Sequence, residues 1–312
     1  VLKYFPPDSS GTRLDSSVTG LDYELSFIQD KVIQMTAETV NTLTQGSIYH
    51  GYKDATATPS LEYSVFADIK FPKAKPISNN AYGSAFRPDY IKMLTEDVSV
   101  CDYVDRQGVK EVWIWGYHYG LIEPTESNLQ MGTISSAYWN HGTYGDISNS
   151  EQTNDLPQCS KTYAVYNYNY GRETEQAVHN HGHHLERILG WVDNSLFWDG
   201  FVGGRTRGTS SGWVIDWENR GCGWTHHAPQ TAPGNDYGLN AAGSELSDCE
   251  DWKPDRSGVK NYVSCNDWSC LELEYYRWWM QNMPGKDNNL IYNGNPVRNW
   301  WDFTADFDAA LT

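Results

Sequence analysis

Thr162-Tyr163-Ala164-Val165-Tyr166-Asn167-Tyr168, followed a few residues later by Glu175-Gln176-Ala177-Val178-His179-Asn180-His181-Gly182-His183-His184-Leu185-Glu186, is the stretch that decides the fold. The first run is short, apolar and aromatic, and reads as a buried strand. The second has the three-to-four-residue spacing of an amphipathic helix and holds four of the chain's nine histidines. With each residue advancing about 100° around a helix axis, Glu175, His179, His183 and Glu186 fall within an arc of about 80°. Ala177, Val178, Leu185, Ile188, Leu189 and Val192 take the opposite side. Gly182 costs about 1 kcal/mol of helix propensity relative to alanine, and on the polar face it leaves room for a substrate or another backbone.

Upstream, Val109-Lys110-Glu111-Val112-Trp113-Ile114-Trp115-Gly116 reads as a second buried strand, entered from a helix over 89–107. An earlier helix is read over 21–44, from Leu25, Ile28, Val32, Met35, Val40 and Leu43, and a strand over 61–71. Residues 1–20 read as an extended lead-in, 72–88 as loop, and 117–160 as a long polar stretch of no clear element, a length that in a compact domain marks function. Strand, helix, strand is the signature of a parallel crossover. The fold class is therefore α/β, a mainly parallel sheet with flanking helices in residues 1–190. Residues 191–312 form a loop-rich, disulfide-bonded lobe packed on that core as one unit, with a helix from about Leu271 to Pro284.

Histidines one turn apart can grip one metal ion, and His179 and His183 have that spacing. A catalytic zinc needs a third protein ligand and an open position for water, and His226 is the best distant candidate, with His227 beside it. His181 points to the apolar side and reads as a hydrogen-bonded core histidine; His184 lies at its edge. Ligands of open α/β sheets gather beyond the carboxyl ends of the strands. That rule draws Tyr117, His118, Glu123, Glu126 and Asn128 from after one strand together with Asn169, Arg172, Glu175, His179 and His183 from after the other. His118, Asn128, Asn169 and Arg172 are the expected substrate-binding set, and Glu126, Glu175 and Glu186 the candidate catalytic carboxylates. Ser247-Asp248-Cys249-Glu250-Asp251 concentrates three carboxylates that suit calcium, although it lacks the alternation of an EF-hand loop and reads better as a solvated acidic turn.

A net charge of -17 argues against nucleic acid or an anionic membrane surface as partner, and no apolar run reaches membrane-spanning length. Residue 1 is Val and no signal peptide is visible, which reads as a processed, secreted form acting as a monomer. The six cysteines form no CxxC pair, so three disulfides are expected over a thiolate site, with fifteen pairings open. Fourteen Trp and twenty-one Tyr suit either stacking on sugars or a heavily aromatic core. No GxSxG elbow, Walker loop or dinucleotide fingerprint occurs.

Three functions follow as expectations. The first is a zinc-dependent hydrolase of an extracellular polymer, peptide or glycan, with a Glu general base. The second is a metal-free glycoside hydrolase using Glu126 and Glu175. The third is a non-catalytic carbohydrate-binding protein, which would leave the histidine face without a role.

Overall fold

The two strands expected from sequence, Glu111–Gly116 and Tyr163–Asn169, lie side by side and parallel, in register from Glu111 opposite Ala164 to Gly116 opposite Asn169. The computed structural model describes residues 1–82, 85–118, 127–132, 145–146, 156–207, 213–215, 220–232, 235 and 237–311, with backbone alone at 79–82, 85–86, 127–132, 145–146, 205–207 and 213–215. In chain order the strands of the first part are β1 (Leu2–Tyr4), β2 (Ile69–Phe71), β3 (Ile77–Tyr82), β4 (Ala85–Pro88), β5 (Glu111–Gly116), β6 (Ser127–Gly132), β7 (Gly145–Asp146) and β8 (Tyr163–Asn169). Six of them form one sheet in the order β2-β1-β5-β8-β6-β7. The first four in that order are mutually parallel; on the far edge β6 runs antiparallel to β8, and β7 antiparallel to β6. The α-helices among the described residues are α1 (Ser16–Thr19), α2 (Leu25–Gly46), α3 (Tyr90–Lys92), α4 (Thr174–Val192), α5 (Glu272–Gln281), α6 (Asp302–Ala305) and α7 (Phe307–Ala310). The architecture is α/β, as the two strand readings imply.

Alternation along the strands sorts the core into two faces. On one, Leu2, Tyr4, Val112, Ile114, Tyr163 and Val165 are buried with Tyr90, Met93, Leu94, Val100 and Val104 of the segment after β4. On the other, Trp113, Tyr166 and Tyr168 meet the imidazoles of α4, and Trp115 packs on Tyr168. Parallel strands buried on both faces read as continuous apolar runs, which is why β5 and β8 were visible in the sequence.

Several expectations shift. The lead-in contains β1, a three-residue strand between β2 and β5. The strand expected over 61–71 is formed only at its end, because β1 offers it partners only from Leu2, opposite Ile69, to Tyr4, opposite Phe71, and Val65 and Phe66 remain 50% and 59% exposed. Residues 72–88 include the β3–β4 hairpin, and the stretch 117–160 includes β6 and β7. The helix expected over 89–107 is broken: after a π-helical turn at Met93–Asp97, Val98 takes extended backbone with φ -143° and ψ 150° before a second π-helical turn at Asp102–Arg106. Cys101, at that second start, is bonded to Cys159.

The chain divides into two compact units, residues 1–39, 64–184 and 306–312 in the first and 40–63 with 185–305 in the second. Helix α4 is continuous through the division, as is α2. The second unit carries the hairpins β9–β10 (Arg205–Arg207, Trp213–Ile215), β11–β12 (Ser244–Ser247, Asn261–Ser264) and β13–β14 (Ile291–Tyr292, Asn295–Pro296), together with α5. Its core is aromatic: Phe197, Phe201, Trp252 and Trp300 pack edge-on and tilted at centroid distances of 5.2–5.8 Å. Trp268, Tyr275 and Trp278 form a second such group beside α5. These rings, with Trp279 and Trp301, are buried, so much of the chain's aromatic content is core.

All six cysteines are paired, as Cys101–Cys159, Cys222–Cys249 and Cys265–Cys270, a pattern that fits an oxidising compartment. Among the described residues, no helix is long and apolar enough to cross a membrane.

Candidate metal centre

Helix α4 forms where the sequence places it, and Ala177, Val178, Leu185, Ile188 and Leu189 are buried. Two of its four imidazoles complete that buried side. His181 Nε2 lies 2.6 Å from the Tyr168 hydroxyl, and His184 Nδ1 is hydrogen-bonded to the Tyr166 hydroxyl. The Tyr166 ring also stacks on His181 at a centroid distance of 3.8 Å. Burial drives His181 far below the usual histidine range, helped by nearby His184, and drives His184 down to about 3. The same burial raises both tyrosines well above theirs. These are neutral, bonded core histidines, as the helical phase predicts for His181.

His179 and His183 stand one turn apart on the other side, their rings edge to face at 4.5 Å and 85°. The sequence reads this side as a polar face, yet it is largely covered: His179, Asn180 and Glu186 are all buried and His183 is half-buried. Asn180 reaches the Asn167 carbonyl at 3.4 Å.

The segment carrying His226 is a tight turn. Trp224 N–H donates to the His227 carbonyl and His227 N–H to the Trp224 carbonyl, both at 2.9 Å. Gly223 adopts φ +73°, and a Cβ there would stand 2.0 Å from the His227 carbonyl oxygen, so only glycine fits. The Cys222–Cys249 disulfide, the Trp279 indole donating to the Gly223 carbonyl at 3.1 Å, and the Tyr275 hydroxyl donating to the Trp224 and His227 carbonyls hold the turn from outside. Thr225 donates from its backbone N–H to Glu186 Oε1 at 2.8 Å and from its hydroxyl to the same oxygen. The Tyr237 ring lies 4.1 Å from that of His226, and Tyr237 N–H donates to the His226 carbonyl at 3.1 Å.

His179, His183 and His226 each offer a ring nitrogen, and these three atoms lie within 4.8 Å of one another. Such a group is able to hold a metal ion. Imidazole donors around a tetrahedral zinc bind at about 2.0–2.1 Å and hence stand roughly 3.4 Å apart, somewhat closer than the 4.8 Å limit found here. Among the described residues, this is the one convergence of three or more His, Cys, Asp or Glu ligand atoms.

The remaining candidates are distributed differently. Glu175 sits in the first turn of α4, four residues before His179. Glu186, three residues beyond His183, is committed to Thr225. His118 Nε2 lies 2.9 Å from Asn167 Nδ2, and Asn167 Oδ1 accepts from Lys75 at 3.1 Å. Asn167 alternates with Tyr166 and Tyr168 along β8, so this polar chain belongs to the opposite face from the α4 imidazoles. Asn169 spends Oδ1 on the Gly171 N–H at 2.8 Å, an Asx turn that leads into α4. Arg172 is exposed and hydrogen-bonded to Gln176. Asn128 lies on β6 opposite Tyr166. Glu123 and Glu126 fall outside the described residues.

In the acidic run, Asp248 is buried and paired with Arg256 at 2.6 and 3.0 Å. Asp251 accepts from Val259 N–H at 2.8 Å and Glu250 pairs with Lys53 at 3.5 Å. Protein donors meet these carboxylates, and Asp248 is not solvated as a surface turn would be.

Thr225, Tyr237, Tyr166 and Tyr168 are the neighbours of the histidines that sequence reasoning did not pick out. Only the Tyr-x-Tyr alternation in β8, matched to a His-x-x-His on the buried side of the next helix, carried a readable signal. Comparison of the chain with protein-family models, curated proteins and solved structures finds no match.

Proposed function

We propose that the chain is a secreted metal-dependent hydrolase, with zinc held by His179, His183 and His226, acting on an extracellular peptide or glycan polymer. The observation that carries the reading is the convergence of the three ring nitrogens within 4.8 Å. Three neutral donors leave a fourth position for water, whose pKa zinc lowers toward 7 while polarising the scissile group. Glu175, one helical turn before His179, is the carboxylate assigned to take the water's proton. The three disulfides support the extracellular setting.

The test is metal content by plasma mass spectrometry on protein purified without affinity tags or added metals, with activity on peptide and glycan polymers assayed before and after chelation. About one equivalent of zinc, with activity lost on chelation and restored by metal, is the expected result. Metal-free protein that hydrolyses a glycan would sink the metal reading.

A further inference from the structure

Glu186 is buried, and its Oε1 receives two donors from one residue, the backbone N–H of Thr225 at 2.8 Å and the Thr225 hydroxyl. A carboxylate oxygen has two lone-pair sites, and here both are spent on Thr225. Thr225 is itself fully buried and directly precedes His226. Glu186 also stands on the helix that carries His179 and His183, three residues beyond the latter. One continuous helix thus bears two of the three imidazoles and the anchor of the turn that carries the third.

We infer that Glu186 is a positioning residue of the metal centre, which fixes the turn bearing His226, and that it is not the proton acceptor. This rests on the three-histidine reading. Groups around a metal site that orient its ligands, without touching the ion, typically change affinity by 10- to 100-fold when removed. The carboxylate acts here on the backbone before the ligand, where a shift of one residue's N–H redirects the imidazole. Nothing in that role requires a charge, because an amide oxygen accepts the same two hydrogen bonds.

Zinc affinity of the whole chain, measured by competition with a chromophoric chelator, tests the assignment on Glu186→Ala, Glu186→Gln and Thr225→Val, alongside the thermal midpoint of each metal-free protein. Glu186→Ala should weaken zinc binding about 10- to 100-fold. Thr225→Val, which keeps the backbone donor and removes the hydroxyl, should weaken it by a smaller factor, and Glu186→Gln should restore it to within about threefold of the parent. A merely structural glutamate would lower the metal-free midpoint and leave the affinity of the folded protein unchanged; that result overturns the inference. So does a Glu186→Gln protein as weak as the alanine variant. Should Glu186→Ala fail to fold, Glu186→Gln and Thr225→Val decide, since equal affinities at parental level in a glutamine variant and clear weakening in the valine variant uphold it, and no weakening in the valine variant overturns it. Parent protein that takes up no zinc ends the metal reading and this inference together. Tight zinc binding by the parent with unaltered variants ends this inference alone.

Discussion

The Tyr168 phenol oxygen stands 2.6 Å from Nε2 of His181, binding strand β8 to the buried side of helix α4. With the Tyr166–His184 bond one step away, it fixes the rotation of α4 about its axis, so that His179 and His183 emerge on the far side. Two of the four imidazoles orient the helix, and the other two belong to the group that is able to hold an ion.

Replacing Tyr168 by Phe removes the phenol and leaves the buried His181 nitrogen without that partner. The cost should be about 1–3 kcal/mol of unfolding free energy. Urea titration followed by tryptophan fluorescence checks it; a change below roughly 0.5 kcal/mol would show that the bond does not tie helix to strand.

His183→Ala should behave in the opposite way. His183 is half-buried, and surface-side truncations usually change stability by little. The metal-free protein should keep its thermal midpoint within a few degrees, while the rise in midpoint that zinc gives the parent should disappear. Global unfolding of this variant would point to a structural histidine.

Gly223→Ala places a Cβ 2.0 Å from the His227 carbonyl oxygen at a backbone φ of +73°. The turn must open, and loss of about 2–4 kcal/mol is expected from the strain and the displaced hydrogen bonds. Zinc affinity should fall with it, because His226 moves. Parental stability and affinity, measured by denaturation and chelator competition, would mean that the turn does not govern the third donor.

Stability should decline in mild acid. His50 is pushed down to about 4, first by burial and then by Lys53, with Asp251 opposing, and His184 is pushed down to about 3 by burial. Unfolded, both titrate near 6.5. The unfolded chain therefore binds more protons, and these groups contribute stability that is full above about pH 6.5 and is lost as pH falls toward their folded values. For His50 the slope approaches about 1.4 kcal/mol per pH unit between roughly pH 6 and 4. His50→Asn, chosen because asparagine tolerates the left-handed backbone at φ +53°, should flatten the curve in that window. An unchanged slope in urea titrations across pH 4–7 would refute it.

Legibility followed length and redundancy. Helix α4 was readable because it repeats its period over 19 residues, and strands β5 and β8 because each is a near-continuous apolar run; the helical phase put His181 on the apolar side and His179 with His183 on the opposite one. The third donor was named from the rarity of a second histidine pair; nothing local in Cys222-Gly223-Trp224-Thr225-His226-His227 shows that His226 turns toward α4. Strand β1 escaped notice because three residues cannot display a period. The gathering of His118 with the α4 imidazoles was inferred from strand ends alone, and a one-residue alternation on β8 sets His118 with Asn167 on the other side. That the side carrying His179, His183 and Glu186 is largely covered could not be read, because side-chain polarity does not report what lies above it.

Strand β1 lies between β2 and β5, and its partners Ile69–Phe71 and Ile114–Trp115 come more than sixty and more than a hundred residues later. A ribosome delivers Leu2–Tyr4 well before these partners, and the ladder can receive them only after roughly 110 further residues have emerged. Such long-range closure makes folding slow and leaves an unpaired parallel edge waiting meanwhile. For this chain, the vulnerable moment falls during its own synthesis.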